Sequence, residues 1–345
     1  MDFSILAFLT QDGLTTGAIY ALVALALVLV FSVTRTILVF QGEFVTFSAL
    51  TLATLQSGLL PGTLWLLIGC SIAACLLDSA IALKQRQPWQ LPRIALSYLA
   101  LPLALLVILS TFDLQSLPGL IKIIVALAIV TPLGPLLYRL VYQRVAQSSV
   151  LVLLIISVAV HIVLIGAALW MFGAEGVRTE AYSDAGLMLG ELSISLQSLL
   201  VVGCALLLIG LLYVFFGHSL YGKALRATAF NRTGAQLVGI PTQLAGQSAF
   251  ALAAFIGAIS GILIGPLTTL YYDSGFLISL KGFVAAIIGG LISYPLAAAG
   301  AFLVGLLESF ATFGASAYKE VIVFTLVIPV LLWLSLKHPN IEEQH

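Results

Sequence analysis

Residues 150–172 read VLVLLIISVAVHIVLIGAALWMF, and the only ionisable side chain in the run is His161. A bilayer's hydrocarbon core, about 30 Å thick, is crossed by roughly 20 apolar residues in a helix. The run shows no polar–apolar alternation, so it is not a half-buried strand. Lipid offers the backbone no hydrogen-bond partner, and a helix satisfies its own N–H and C=O groups. Runs of the same kind occupy residues 14–33, 44–60, 64–83, 94–112, 120–142, 193–216 and 244–270. The stretch 283–336 is less regular, with the Gly289-Gly290 pair, Pro295, an apolar piece at 299–313 and a last run at 321–336.

Composition agrees with that reading. The 345-residue chain is 61% hydrophobic and 8% charged, against roughly 45–50% and about 25% in soluble domains. Its formal net charge is zero, which leaves no basic face for nucleic acid. Cys70, Cys75 and Cys204 lie in apolar runs without metal or disulfide spacing, and read as small buried hydrophobes. The first run carries Asp2 and Asp12 ahead of it instead of a basic segment and is too long for a signal peptide, so it is expected to stay as the first helix. The expected fold is all-α: a polytopic transmembrane bundle of about 9–11 helices in one domain over residues 1–345.

Cytoplasmic loops carry the excess of Lys and Arg. Arg35, then Lys84, Arg86 and Arg93, then Arg139 and Arg144, then Lys223, Arg226 and Arg232, and finally Lys337 fall in alternate loops. The loops between them hold Asp113, then Glu175, Glu180, Asp184 and Glu191, then Asp273, against Lys122, Arg178 and Lys281. The basic loops therefore read as cytoplasmic and the N-terminus as external. Keeping Lys337 on the cytoplasmic side then requires a broken or re-entrant hairpin near 283–314, interrupted around Gly290 and Pro295.

Catalytic and metal-ligating patterns are missing from the sequence, and no cofactor is expected. Gly217 to Ala224 nearly spells a phosphate-binding loop, but Ala224 has no hydroxyl for Mg²⁺ and an apolar helix precedes the segment instead of a strand. Asn231-Arg232-Thr233 matches a glycosylation sequon in a loop read as cytoplasmic, and is expected to be unmodified. Gly257, Gly261 and Gly265, like Gly13 and Gly17, recur at four-residue spacing, which suits close helix packing. Asp78, His161 and Glu308 are ionisable groups inside apolar runs; Asp78 sits near a run's end, where it can snorkel.

The largest cytoplasmic loop, 217–243, carries the most information. Leu225, Ala229, Arg232 and Gln236 share one helical face, Arg226, Ala227 and Phe230 share another, and Gly239 with Pro241 supplies a stop. A short amphipathic helix of this kind suits a groove on a peripheral protein, or the headgroup layer of the membrane.

Gly222, Arg226, Ala227, Asn231, Ala235, Gly239 and Ile240 match the pattern G-x-x-x-R-A followed by N-x-x-x-A-x-x-x-G-I. In this the loop resembles the cytoplasmic segment of the branched-chain amino-acid type of ABC transporter permease. The resemblance extends to Gly13–Leu22, Gly42-Glu43-Phe44, Phe250 and Gly261, the 281–290 segment and the 300–308 segment. Gln41 stands where that family commonly has histidine, His338-Pro339-Asn340-Ile341 replaces its usual ending, and 84–117 is longer and adds a helix.

The resemblance implies a subunit of an importer in the bacterial inner (plasma) membrane, without a nucleotide site of its own. Its partners would be a second homologous permease subunit, two cytoplasmic ABC ATPases that use the ATP, a periplasmic solute-binding protein and the surrounding lipid bilayer. It also implies that the seven loop residues couple to an ATPase, and that Gln41, Gly42, Glu43, Ala285, Gly289 and Gly290 face the pathway. Branched-chain amino acids lead as the substrate, with urea and short amides behind. A stand-alone, gradient-driven carrier remains the competing class.

Overall fold

The structure, a computed structural model, describes residues 3–182, 186–189, 192–291, 293–325 and 327–337. Asp2, Asp184, Glu191 and residues 338–341, which the readings above invoke, lie outside the described residues.

Helices α1 (Phe3–Thr34), α2 (Gln41–Gln56), α3 (Gly62–Lys84), α4 (Leu91–Thr111), α5 (Gly119–Val130) and α6 (Leu133–Leu137) open the chain. A π-helical turn, Tyr138–Tyr142, extends α6 and precedes α7 (Val150–Phe172). A two-stranded antiparallel hairpin, β1 (Gly186–Leu189) and β2 (Leu192–Ser195), leads into α8 (Leu196–His218). Then come α9 (Leu220–Phe230), α10 (Arg232–Leu237), α11 (Thr242–Ile264), α12 (Ser274–Ile288), α13 (Tyr294–Ala315), α14 (Lys319–Thr325) and α15 (Val327–Lys337). Eight of the described helical segments are long and apolar enough to cross a membrane. The protein is an all-α, multi-pass membrane protein.

Helices α1, α2 and α11 form the buried centre, whereas α3, α4, α7 and α8 turn much of their apolar surface outward. In a soluble protein those exposed leucines and isoleucines would be a liability; against lipid tails they cost nothing. Glycines set how closely the central helices approach. A Cβ on Gly13 or Gly17 would fall 2.8 and 2.9 Å from the Cα atoms of Leu306 and Phe302, so α1 lies directly against α13. Gly257 and Gly261 likewise seat α2 on α11. Both glycine stripes thus serve packing within the chain.

The basic loops gather at one end of the bundle. Arg232 donates to the Ala146 carbonyl at 2.9 Å, and Arg35, Gln147 and Arg232 line one depression there. At the opposite end Arg178 holds the Pro266 carbonyl at 2.7 and 2.9 Å, and the Glu180 amide donates to the Gln56 side chain at 3.2 Å.

Several expectations need correction. The hairpin does break at 289–293, where Gly290 and Leu291 take φ of 63° and 57°. Its first arm begins at Ser274 instead of Phe283, and its second arm is a 22-residue helix, long enough to cross. The charge pattern expects Lys122 and Lys281 in loops; Lys122 lies within α5, 7% exposed, donating to the Gln115 carbonyl, and Lys281 lies within α12, 5% exposed, because Glu308 neutralises it. The run beginning at residue 244 ends at Ile264, not at 270. Asp78 does not snorkel but pairs with Arg139 and accepts from Tyr98 at 2.7 Å. Cys204 is exposed on α8, and Cys70 and Cys75 are half-buried.

The least anticipated feature is the start of α2. The chain leaves α1 through Arg35 in the left-handed region and runs back into the bundle over residues 36–40, with Thr36, Leu38 and Phe40 buried. Gln41 opens the helix there, its Nε2 donating 2.9 Å to the carbonyl of Ala253, midway along α11. At 1.5 Å per residue, the 16 residues of α2 are a part-span that begins inside the protein.

Candidate functional site

The start of α2 meets the start of α12. A Cβ on Gly42 would overlap the Gly275 carbonyl, and one on Gly275 would overlap Gly42, so only glycine lets the two backbones touch. Ser279, one turn further along α12, donates to the carbonyl of Val39 at 3.1 Å, and Val39 N–H donates to Ser157 of α7 at 2.8 Å. Interrupted backbone within membrane proteins is confined to places buried in protein or lining a cavity, because its unpaired groups need such partners.

Around that junction sits a cluster of buried polar groups. Glu43, in the first turn of α2, is 1% exposed, and its Oε1 lies 2.8 Å from His161 Nδ1. The approach lies off the hydrogen-bonding direction, so both Glu43 oxygens and Nδ1 lack a directed bond, as do Gln41 Oε1 and Thr46 Oγ1. The His161 ring packs on Phe276, with centroids 4.8 Å apart. A carboxylate in the first turn of a helix is favoured by the helix dipole, while its burial carries a desolvation cost.

Of the residues read as facing a pathway, Gln41, Gly42 and Glu43 come together here. The structure does not gather Ala285, Gly289 and Gly290 with them. Ala285 and Gly289 pack against α13, where a Cβ on Gly300 would lie 3.1 Å from the Ala285 carbonyl, and Gly290 forms the turn that follows.

A second buried network was missed in the sequence. Lys281 donates to Glu308 at 2.5 Å and pairs with Glu320 at 3.2 Å; Tyr20 donates to the other Glu308 oxygen at 2.7 Å. Four helices, α1, α12, α13 and α14, are thereby tied together. The signal available was the pairing rule itself, since a lysine inside an apolar run demands a carboxylate partner.

The 217–243 loop folds as two short helices rather than one. Asn231 ends α9 and caps α10, its Oδ1 accepting from Gly234 N–H at 2.8 Å, so the single face expected to join Leu225 to Gln236 is interrupted. Ser219 caps α9 in the same way, and a Cβ on Gly222 would overlap the Phe215 carbonyl, fixing the sharp exit from α8. At the far end Gly239 has φ +85°, with its N–H on Gln236 O at 3.0 Å and Ile240 N–H on Ala235 O at 2.9 Å, a Schellman cap. Gly222 and Ala235 are buried, Ile240 is half-buried, and Arg226, Ala227, Asn231 and Gly239 are exposed. Phe230, Leu237 and Val238 are 93%, 84% and 76% exposed, and Phe230 lines a cleft with Arg226. No strand precedes Gly217, which closes α8 with His218.

Comparison with known proteins adds a family. The chain is 28% identical over 228 residues to the high-affinity branched-chain amino acid transport system permease protein LivH of Escherichia coli K12, covering 63% of this chain and 74% of that protein. It is 27% identical over 259 residues to the corresponding permease protein BraD of Pseudomonas aeruginosa, covering 72% of this chain and 84% of that one. A family model described as branched-chain amino acid transport system / permease component matches residues 9–331. With nearly the whole chain inside that match, the protein belongs to the branched-chain amino acid transport system permease family.

Proposed function

We propose that this chain is the membrane subunit of an ATP-driven importer of the bacterial inner membrane, carrying branched-chain amino acids handed to it by a periplasmic binding protein. The observation that carries the reading is the α9–α10 element. It is capped at both ends and at its middle by Ser219, Asn231 and Gly239, yet it turns Arg226, Ala227, Phe230, Leu237 and Val238 outward. A rigid element with an apolar outer face and no nucleotide-binding loop suits docking into a cytoplasmic ATPase. Such docking would pass closure of the ATPases to α8 and α11. The names of the relatives supply the substrate class. The complete machine would hold two permease subunits and two ATPases.

On this reading the pathway passes the junction of α2 and α12. Two helix starts meeting inside the bundle direct their positive dipole ends toward the junction, where a substrate carboxylate would be stabilised. Ala285, Gly289 and Gly290 would act by letting α12 shift against α13.

The test combines Arg226→Glu with Ala227→Trp. Uptake of radiolabelled leucine should be lost and the ATPase should no longer co-purify, while membrane insertion stays normal; undiminished uptake would sink the assignment. The buried Glu43–His161 and Lys281–Glu308 pairs also suit a proton-coupled carrier working alone. Leucine accumulation by the purified single chain in vesicles with a proton gradient and no ATPase would favour that reading.

A further inference from the structure

Where α1 ends and α9 begins, the bundle leaves an open cleft of about 820 Å³ lined by Arg35, Lys223 and Arg226 above Phe31, Phe230 and Tyr294. We propose that this cleft holds an anionic phospholipid, its phosphate taken by Arg35 and Lys223 and the start of an acyl chain lying on the three aromatic rings.

Three observations support it. The lining is cationic without a carboxylate, and the ion pairs among the described residues are made elsewhere, by Arg139, His161 and Lys281. Arg35 adopts φ 59°, a left-handed conformation in which glycine is unstrained and a branched or long side chain is not. The same left-handed turn follows α3 at Arg86 and α12 at Leu291; at Arg35 it ends α1 on the rim of the cleft, which the Arg35 side chain lines. Its guanidinium is already drawn over the Phe31 ring, 6.0 Å from the centroid. Finally, the floor is apolar and aromatic, which serves a lipid tail and not a small soluble anion, and the cleft lies at the basic end of the bundle. Basic pockets between membrane helices on the cytoplasmic side are suited to anionic headgroups. Binding does not depend on the ATPase-docking reading, and Arg226, Ala227 and Phe230, which both would share, are left unchanged in the test.

The purified full chain in mild detergent is offered equal phosphatidylglycerol and phosphatidylcholine, and retained lipid is read by native mass spectrometry. The wild type should keep phosphatidylglycerol in preference. The Arg35→Gly/Lys223→Gln variant should lose about thirtyfold of that preference, the loss expected for two cations facing a headgroup. Because Arg35→Gly relieves backbone strain, misfolding would not account for it. A charge-matched control on the same end of the bundle, Lys84→Gln/Arg93→Gln, should retain the preference. Equal retention of both lipids by the wild type, an unchanged preference in the cleft variant, or an equal loss in the control would each overturn the proposal. So would displacement of the lipid by millimolar glycerol 3-phosphate, which would make the cleft a site for soluble anions.

Discussion

Among the side chains that distinguish this protein from a plain apolar bundle are buried and half-buried ionisable groups, most of them facing a partner, whereas buried Lys122 donates to the Gln115 carbonyl. Lys281 faces Glu308 and Glu320, Glu43 faces His161, and Asp78 faces Arg139. Removing one partner of a buried pair leaves an uncompensated charge and costs about 3–5 kcal/mol, whereas replacing both by apolar groups is often nearly neutral. Lys281→Met should therefore lower the unfolding midpoint in detergent sharply, and Lys281→Met/Glu308→Leu should recover much of the loss in a double-mutant cycle. A double variant as unstable as the single one would mean that the network's worth lies with Glu320 and Tyr20. Asp78, His161 and Glu308 were legible as anomalies, because a lone charge in an apolar run stands out. Their partners were not: pairing joins residues far apart in the chain, and Lys281 had been placed in a loop on the ordinary rule that charge marks a boundary. That rule fails wherever a partner lies within reach.

Among the elements, the long helices were legible and the part-spans were not. Hydrophobicity fixed α3, α7 and α8 nearly to the residue, since each crosses lipid with most of its own surface exposed. For α2 and α12 the limits are set by other helices: Gln41 starts where it can reach Ala253, and Ser274 starts where Gly275 meets Gly42. Sequence hydropathy carries no trace of either contact. Gly42→Ala should separate the two helix starts. The expected result is an overpacking cost of about 1–3 kcal/mol, or more because backbone atoms are involved, seen as a lower midpoint together with loss of uptake. Ser279→Cys, placed beside the same junction, should react with a small polar thiol reagent in some transport states only; protection in every state would remove the junction from the pathway. In the loop, the stop at Gly239 was legible from Gly and Pro, but the break at Asn231 was not, because asparagine is as compatible with a helix surface as with a cap. Asn231→Ala should cost about 1 kcal/mol of local stability, read as faster amide exchange confined to α10.

For the whole molecule, the decisive feature is that charge divides its two ends. Arg35, Lys84, Arg86, Arg93, Arg144, Lys223, Arg226 and Arg232 lie at helix ends, in the short helices α9 and α10 or in connections on one side, and Asp113, Glu175, Glu180 and Asp273 in connections on the other. The path of the chain between these ends is continuous only once α2 and α12 are counted. The segment 35–40 returns the chain inward, α2 completes the passage to the acidic end, and α12 brings it back toward the basic end before α13. Since Lys and Arg near span ends set orientation, the basic end should face the cytoplasm, as docking of α9–α10 on an ATPase requires. Ser116 and Gln147 are exposed at the acidic and basic ends respectively, and each can carry a single cysteine once Cys70, Cys75 and Cys204 are replaced by serine or alanine. In intact spheroplasts a membrane-impermeant maleimide should label the Ser116→Cys variant and spare the Gln147→Cys variant, which should react only after permeabilisation. The opposite pattern would turn the α9–α10 element away from any cytoplasmic ATPase and remove the structural basis of the proposed coupling. The lipid cleft would then face the other leaflet but keep its chemistry.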